Sequence, residues 1–524
     1  MLKRGRLLLF ILLVASIAIF SGRAAWAEEK VKQAKYIFLF IGDGMGLAQR
    51  SAAELFLAAR KGLDRPEKSR LVMNTFPAQG INTTYDLTSV IPDSAAAATA
   101  IACGFKTRSG IISMDAEARV PYTTIAETAK KRGWKVGVLT TVSLDHATPA
   151  AFYAHVPFRD KMYDISMQLA ASGFDYFAGG QLHEPVDKKD KTKPHALEVA
   201  KKNGYQVVIG RAGFEALRPG AGKVIAMNSL VDGQAAMYFS LDQRSGEHVP
   251  LAELLAKGID LLDNPNGFFV MIEGGKIDWA CHANDAAAAI RDVLALDDAV
   301  VQAVKFYEKH PDETLIVVTG DHETGGLALG FAGTGYSSFV DKLQHQKVSF
   351  IEFGRRLAAF KKSRPASELR FEDVLPLIKE SFGLYVMPAE EKARLEGIIA
   401  KGKAQDASGE AKLAAKDAHK QLKYGLALSD LELDALRKAF ARSLPGGGRA
   451  KDDHAYLLYG GYEPLTVKLT TILNNKAGIG WTSYSHTGSP VMTSALGVGA
   501  ALFNGYYDNT DIYSKMMRIA GFAR

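Results

Sequence analysis

The sequence predicts an α/β fold: a mostly parallel central sheet with helices on both faces. Two observations carry that expectation. Apolar, β-forming runs alternate with helical patterns along the chain, the arrangement that builds parallel sheets. Three of those runs, 36–41, 268–272 and 315–319, each end next to a metal-capable acid, respectively Asp43, Glu273 and Asp321. In open α/β sheets the carboxyl ends of the strands share one rim, so side chains distant in sequence can meet there.

Further strands are expected at 135–141 (KVGVLTT), 206–209 and 223–227. Residues 123–132 read as a helix stopped by Gly133. Residues 284–310 read as a long helix, with Ile290, Leu294, Val301 and Val304 near helical spacing. After Gly335 the composition shifts, and 350–444 is rich in Lys, Glu and Ala, with a polar stretch at 401–409. A helical insertion at about 340–450, packed over or beside the sheet, is expected there. Gly446-Gly447-Gly448 would form its flexible exit. A last strand at 490–498 and a closing helix at 509–520 complete the chain.

A chain of 524 residues with 47% hydrophobic residues can bury a sizeable core, and large α/β enzymes often reach this length as one domain with insertions. The start of the chain has the layout of a secretory signal. Lys3, Arg4 and Arg6 precede an apolar run at 7–20, and Ala25-Trp26-Ala27 stands before Glu28. Residues 1–27 are expected to be removed, leaving 28–524 as the catalytic domain of a periplasmic or secreted protein. An uncleaved anchor is the alternative, although the run is short for a membrane span. Loss of Lys3, Arg4, Arg6 and Arg23 lowers the formal charge from +7 by four to +3. So mild a charge argues for no nucleic-acid partner and for no stable membrane insertion after cleavage. Cys103 and Cys281 are the two cysteines, and two free buried thiols are favoured over a bridge.

The candidate chemistry sits in five segments. Asp43 lies in Ile-Gly-Asp-Gly-Met-Gly (41–46), where flanking glycines let the backbone turn tightly and bring the acid close to a cation. Alone, such a segment is equally an ordinary turn. Ser94 follows Pro92-Asp93 and precedes an alanine run with high helix propensity. Asp93 or Ser94 then stands at a helix N-terminus, which favours an anion; a capping serine is the plainer reading. No Gly-x-Ser-x-Gly elbow occurs, which argues against an α/β-hydrolase triad. Asp278 and His282 have i, i+4 spacing, one turn apart on a helix, with Glu273 at the strand end before them. Asp321 and His322 offer an oxygen and a nitrogen together, which suits zinc better than magnesium or calcium. His486, in a hydroxyl-rich loop, reads by itself as an ordinary loop histidine, and its weight comes from supplying the third ligand that one ion would still need.

With these segments in this order, the chain resembles the alkaline phosphatase family, bacterial members above all. The resemblance runs from Ile37 through the strand after His486. It implies that Asp278, His282 and His486 hold one zinc (Zn2+), while Asp43, Asp321, His322 and the Ser94 oxygen hold a second. It further implies a third site at Asp43, Glu273 and Thr148, usually magnesium (Mg2+), and a phosphate-clamping arginine at Arg159. His146 stands where the best-known bacterial enzyme has aspartate, although other members have histidine, and Trp279 replaces a lysine. Both departures leave the third metal's identity open. The implied activity is hydrolysis of phosphate monoesters through a phosphoserine at Ser94, and family members are often homodimers. Action on diesters, sulfate esters or sugar-phosphate isomers is an alternative, as is an inactive metal- or phosphate-binding protein. Against the former, Pro92-Asp93-Ser94 is not a sulfatase-type Cys-x-Pro-x-Arg nucleophile, and diesterases and mutases generally lack a ligand like Glu273.

Overall fold

The computed structural model describes residues 32–63, 69–444 and 453–522. The signal segment 1–27 and the glycine run 446–448 lie outside the described residues. Fourteen strands occur among them. In chain order these are β1 (Tyr36–Gly42), β2 (Ala78–Thr83), β3 (Lys135–Thr140), β4 (Tyr176–Gly179), β5 (Tyr205–Ile209), β6 (Lys223–Met227) and β7 (Phe268–Glu273). Then come β8 (Thr314–Gly320), β9 (Glu323–Thr324), β10 (Ala328–Leu329), β11 (Ile479–Gly480), β12 (His486–Thr487), β13 (Val491–Gly497) and β14 (Gly505–Asp508).

Ten of them form one sheet in the order β14-β2-β13-β8-β1-β7-β3-β4-β6-β5. The pairs from β8 across to β5 are all parallel. The exception is β13, which runs antiparallel between β8 and β2. Two short ladders, β10 with β11 and β12 with β9, stand apart from it.

All seven residues of β1 are buried, and they divide between two cores. Tyr36, Phe38 and Phe40 join one hydrophobic cluster, while Ile37, Leu39 and Ile41 join the other. Side chains alternate faces along a strand, so this division means that both faces of the sheet are covered. The helix Ala286–Tyr307 and the helix Leu251–Leu262 cover the first face. The helices Ser94–Cys103 and Thr510–Ile519 cover the second. Phe38 and Phe40 are fully buried, and truncating either to alanine would cost about 3–5 kcal/mol.

The strands expected from sequence at 36–41, 135–141, 206–209, 223–227, 268–272, 315–319 and 490–498 all correspond to sheet strands. Missing from that reading are β2, β4 and β14. β4 has four residues, β2 (AQGINT) has no apolar run, and β14 (GYYD) is a half-exposed edge.

The stretch after Gly335 is helical, with helices at Phe350–Lys362, Phe371–Phe382, Ala389–Gly402, Gly409–Tyr424 and Asp430–Ser443. Its first helix is tied to the main core. Ser349 N donates to Asp242 Oδ1 (2.8 Å), and Phe350 N donates to Asp285 Oδ2 (2.9 Å). Burial pushes the Asp285 carboxyl up to about 6. Cys103 and Cys281 are free and buried. No helix among the described residues is long and apolar enough to cross a membrane.

Candidate metal centre

The register of the central strands sets the site. β1 lies between β7 and β8, with Ile41 opposite Glu273 and Gly42 opposite Gly320. Asp43, Glu273 and Asp321 therefore leave three adjacent strands at one level on the same rim. β3 adds Thr140, opposite Glu273 on the other side of β7. The turn after β1 needs glycine at Gly44, whose φ is +69°. A Cβ there would come within 2.8 Å of Thr324 Oγ1 and 2.9 Å of Asp278 Oδ1.

Each of the three rim carboxylates is anchored through one oxygen and leaves the other buried without a partner. Asp321 Oδ1 accepts from the backbone amides of Gly44 (3.1 Å) and His322 (2.9 Å). Asp43 Oδ2 accepts from Thr148 Oγ1 (3.4 Å), and Glu273 Oε2 accepts from Thr140 Oγ1. Asp43 Oδ1, Glu273 Oε1 and Asp321 Oδ2 have no hydrogen-bond partner. A buried unsatisfied polar atom costs on the order of 1–3 kcal/mol, more when charged, and a cation would satisfy several of these at once.

The three histidines are fixed in complementary fashion. His282 Nδ1 faces the Tyr484 carbonyl (2.6 Å) and His486 Nδ1 faces the Pro92 carbonyl (2.7 Å). Carbonyls only accept, so both Nδ1 atoms donate. Thr324 Oγ1 donates to Asp278 Oδ1 (2.6 Å) and so accepts from His322 Nδ1 (3.2 Å). All three rings are thus held from outside, and Nε2 of each is turned to the centre, as in histidines that ligate metals.

Three groups of donors result: Asp278, His282 and His486; Asp43, Asp321 and His322; and Asp43, His146 and Glu273. Within each, one donor atom per residue lies within 4.8 Å of the others. In the first, Asp278 Oδ2 is 3.3 Å from His282 Nε2, and Asp278 Oδ1 is 3.5 Å from His486 Nε2. In the second, His322 Nε2 is 3.3 Å from Asp43 Oδ1 and 3.4 Å from Asp321 Oδ2. Ser94 meets this second group, its Oγ 3.2 Å from His322 Nε2. Asp93 caps the helix Ser94–Cys103 by accepting from Ala96 N (3.0 Å), which leaves Ser94 as its first residue. Arg159 stands beside it, with Nη1 donating to Asp93 Oδ2 (3.1 Å) and Nη2 to His146 Nε2 (3.3 Å).

The family model of alkaline phosphatase matches residues 34–179 and 176–415. The chain belongs to the alkaline phosphatase family. Alkaline phosphatase 3 of Bacillus subtilis is 28% identical over 524 residues, covering 96% of this chain and 94% of that protein. The repressible alkaline phosphatase of Saccharomyces cerevisiae is 29% identical over 381 residues, 67% of each chain. A cold-active alkaline phosphatase from a psychrophilic Shewanella sp. superposes with a TM-score of 0.67 at 27% identity, covering 93% of this chain and 100% of that one.

Electrostatics in this phosphatase favour cation binding. Burial, reinforced by neighbouring carboxylates, pushes Asp43 and Asp321 well above the usual carboxylate range. Burial also pushes Glu273 up to about 7. Asp278 is buried too, but His282, His486 and His322 outweigh that effect and hold its carboxyl well below the usual range. Burial alone would push His282 down, yet the Asp278 charge and hydrogen bond raise it to about 9. A proton therefore competes with a cation for the His282 group. Burial and the Arg159 charge push His146 down to about 3, so its ring is neutral.

Every candidate from the sequence lies in this rim cluster or directly on it. Thr148 reaches it through Asp43, and Arg159 through Asp93 and His146. Sequence reasoning missed Thr140 and Thr324, whose hydroxyls orient the donors, and the ladder of β12 with β9. That ladder pairs His486 with Thr324 and so delivers the late histidine to the centre.

Proposed function

We propose that this chain is an exported phosphomonoesterase that hydrolyses small phosphate monoesters through a phosphoserine at Ser94. The observation that carries the reading is Ser94 Oγ lying 3.2 Å from His322 Nε2, at the edge of a cluster of three donor groups. Asp278, His282 and His486 would hold one zinc, and Asp43, Asp321 and His322, with Ser94 Oγ beside them, a second; zinc takes such mixed nitrogen and oxygen donors. Asp43, Glu273 and Thr148 offer oxygen donors suited to magnesium, while His146 stands in the same donor group and, with Nε2 accepting from Arg159, carries the proton of its neutral ring on Nδ1. When bound, such ions lower the pKa of a neighbouring hydroxyl and neutralise charge on the attacking and leaving oxygens.

Ser94 Oγ gives up its proton to solvent and attacks phosphorus in line. The Oγ–P bond forms as the ester P–O bond breaks, and the departing alkoxide is protonated by water. A water molecule then attacks the phosphoserine, the Oγ–P bond breaks, Ser94 regains a proton and inorganic phosphate leaves. Arg159 presents a planar fork to two nonbridging oxygens, a geometry that lysine lacks. Its position is supported by the bond to Asp93, the residue before the nucleophile. The N-terminus of the helix Ser94–Cys103 adds favourable backbone dipoles for the phosphoryl group.

The same reading takes residues 1–27 as the secretion signal, 28–524 as the catalytic domain with the helices of about 340–450 as its insertion, and a homodimer as the assembly. Hydrolysis of p-nitrophenyl phosphate, its bis ester and the sulfate, before and after chelation, tests the activity. Turnover confined to the monoester, lost on chelation and in Ser94→Ala, is expected. Metal-dependent monoester turnover that survives Ser94→Ala would reject the nucleophile.

A further inference from the structure

The centre opens into a cavity of about 670 Å³ that runs from Ser94 and Arg159 to Trp279, Phe350, Ile351 and Tyr462. Cavities of this order hold ligands much larger than a phosphate ion, so most of the space is available to the alcohol half of an ester.

Its outer wall is a connected aromatic layer. Lys276 Nζ sits 4.3 Å from the centre of the Trp279 ring and 4.1 Å from that of Phe239. Phe239 packs on Phe350 at 5.5 Å, and Phe350 meets Tyr462 edge-on at 5.6 Å. The layer is fixed from behind. Lys276 is 1% exposed and donates to Asp232 Oδ2 at 2.6 Å, while Phe350 is held through its amide by Asp285.

That ion pair also decides the charge of the wall. Outside the metal-capable groups, the described lining contains three further titratable side chains, Arg159, Asp232 and His183. Asp232 is neutralised by Lys276, and the proposed function gives Arg159 to the phosphate. What remains for the alcohol is the ring surface of Trp279, Phe350 and Tyr462, with Ser143, His183 and Gln234 as the polar side chains of the same lining, and Ile351 stands 45% exposed.

We infer that Trp279, Ile351 and Tyr462 form a leaving-group wall that favours phosphate monoesters whose alcohol carries a flat, uncharged ring over those of small alcohols. The inference rests on the reading of Ser94 and Arg159 as the phosphate end. Ring burial against aromatic and branched side chains supplies the preference. The helical segment after Gly335 thereby acquires a role in the reaction, since Phe350 and Ile351 begin its first helix.

AMP and ribose 5-phosphate share the same primary alkoxide leaving group, so the chemistry at phosphorus is matched and the base is the difference. The expected kcat/KM is at least about tenfold higher for AMP, equivalent to ~1.4 kcal/mol. In Ile351→Ala and in Tyr462→Ala that ratio falls toward unity, and the inhibition constant of inorganic phosphate reports separately on the phosphate end. The exposure of Ile351 makes its truncation safe for folding. Equal efficiencies in the wild type, or a ratio unmoved by both substitutions, would overturn the wall. Hydrolysis of neither ester would sink the phosphatase reading beneath it as well.

Discussion

The rim where β1, β7 and β8 end and the helical pair Ala389–Gly402 and Gly409–Tyr424 are opposites in construction. At the rim, Asp43, Glu273, Asp321 and His322 are fully buried and positioned by strand register, and each carries a hydrogen bond that fixes its rotamer. In the pair, the buried side chains are Leu395, Ala415 and Ala418, and the helices pack chiefly on each other. The lesson is that chemistry is placed where neighbouring strands leave no freedom, and that length and charge are free to vary where a few small contacts suffice.

Substitutions at the rim sharpen that contrast most. Ser94→Ala should lower kcat/KM for p-nitrophenyl phosphate by on the order of 10³-fold or more, since the nucleophile and its neighbours act as a unit. Next comes Arg159→Lys, which keeps the charge and loses the fork. A fall of roughly 10- to 100-fold in kcat/KM with weaker phosphate inhibition is expected, the worth of one charge-assisted hydrogen bond. Gly44→Ala acts through the backbone. With φ at +69° and Thr324 and Asp278 in the way, it should cost about 1–3 kcal/mol in stability and lower the metal content measured by mass spectrometry.

The strands that lead to the rim were readable because they are unbroken apolar runs with an acid behind them. β1 and β8 are short apolar runs rich in β-branched and aromatic residues, and Asp43 and Asp321 stand next to their ends. The i, i+4 spacing of Asp278 and His282 likewise states its own geometry, and their 3.3 Å approach follows from it. Thr148, Arg159 and His146 entered through family resemblance, because their segments carry no spacing that points to an ion. Thr324 and the Lys276–Asp232 pair were invisible for a physical reason. Their partners lie 46 and 44 residues away, and only the folded register brings them together.

A pH series separates metal-free from metal-loaded protein by a smaller effect. His282 is raised to about 9 in the folded state, above its ordinary value near 6.5, so its contribution to stability is complete below 6.5 and is lost as pH rises through 9. Glu273, raised to about 7, disfavours the folded state once it ionises and acts in the same direction up to that pH. His146 and His322 are lowered, and their opposite effect is confined to below about 6.5. Chelated protein should therefore lose Tm between about pH 6.5 and 9, whereas zinc-loaded protein should hold or gain it, because deprotonated ligands bind metal more tightly.

The smallest effect belongs to the helical pair. Leu413 is 61% exposed, and Leu413→Glu should change stability by less than about 0.5 kcal/mol and leave kcat/KM alone. A large loss there would dissolve the contrast between the two regions.

The most direct test of the central claim is anomalous diffraction at the zinc edge from crystals of the zinc-loaded protein. The expected result is two peaks about 4 Å apart, one among Asp278, His282 and His486 and the other among Asp43, Asp321 and His322, with Ser94 Oγ within bonding reach of the second. A single peak, or zinc bound away from these six side chains, would contradict it.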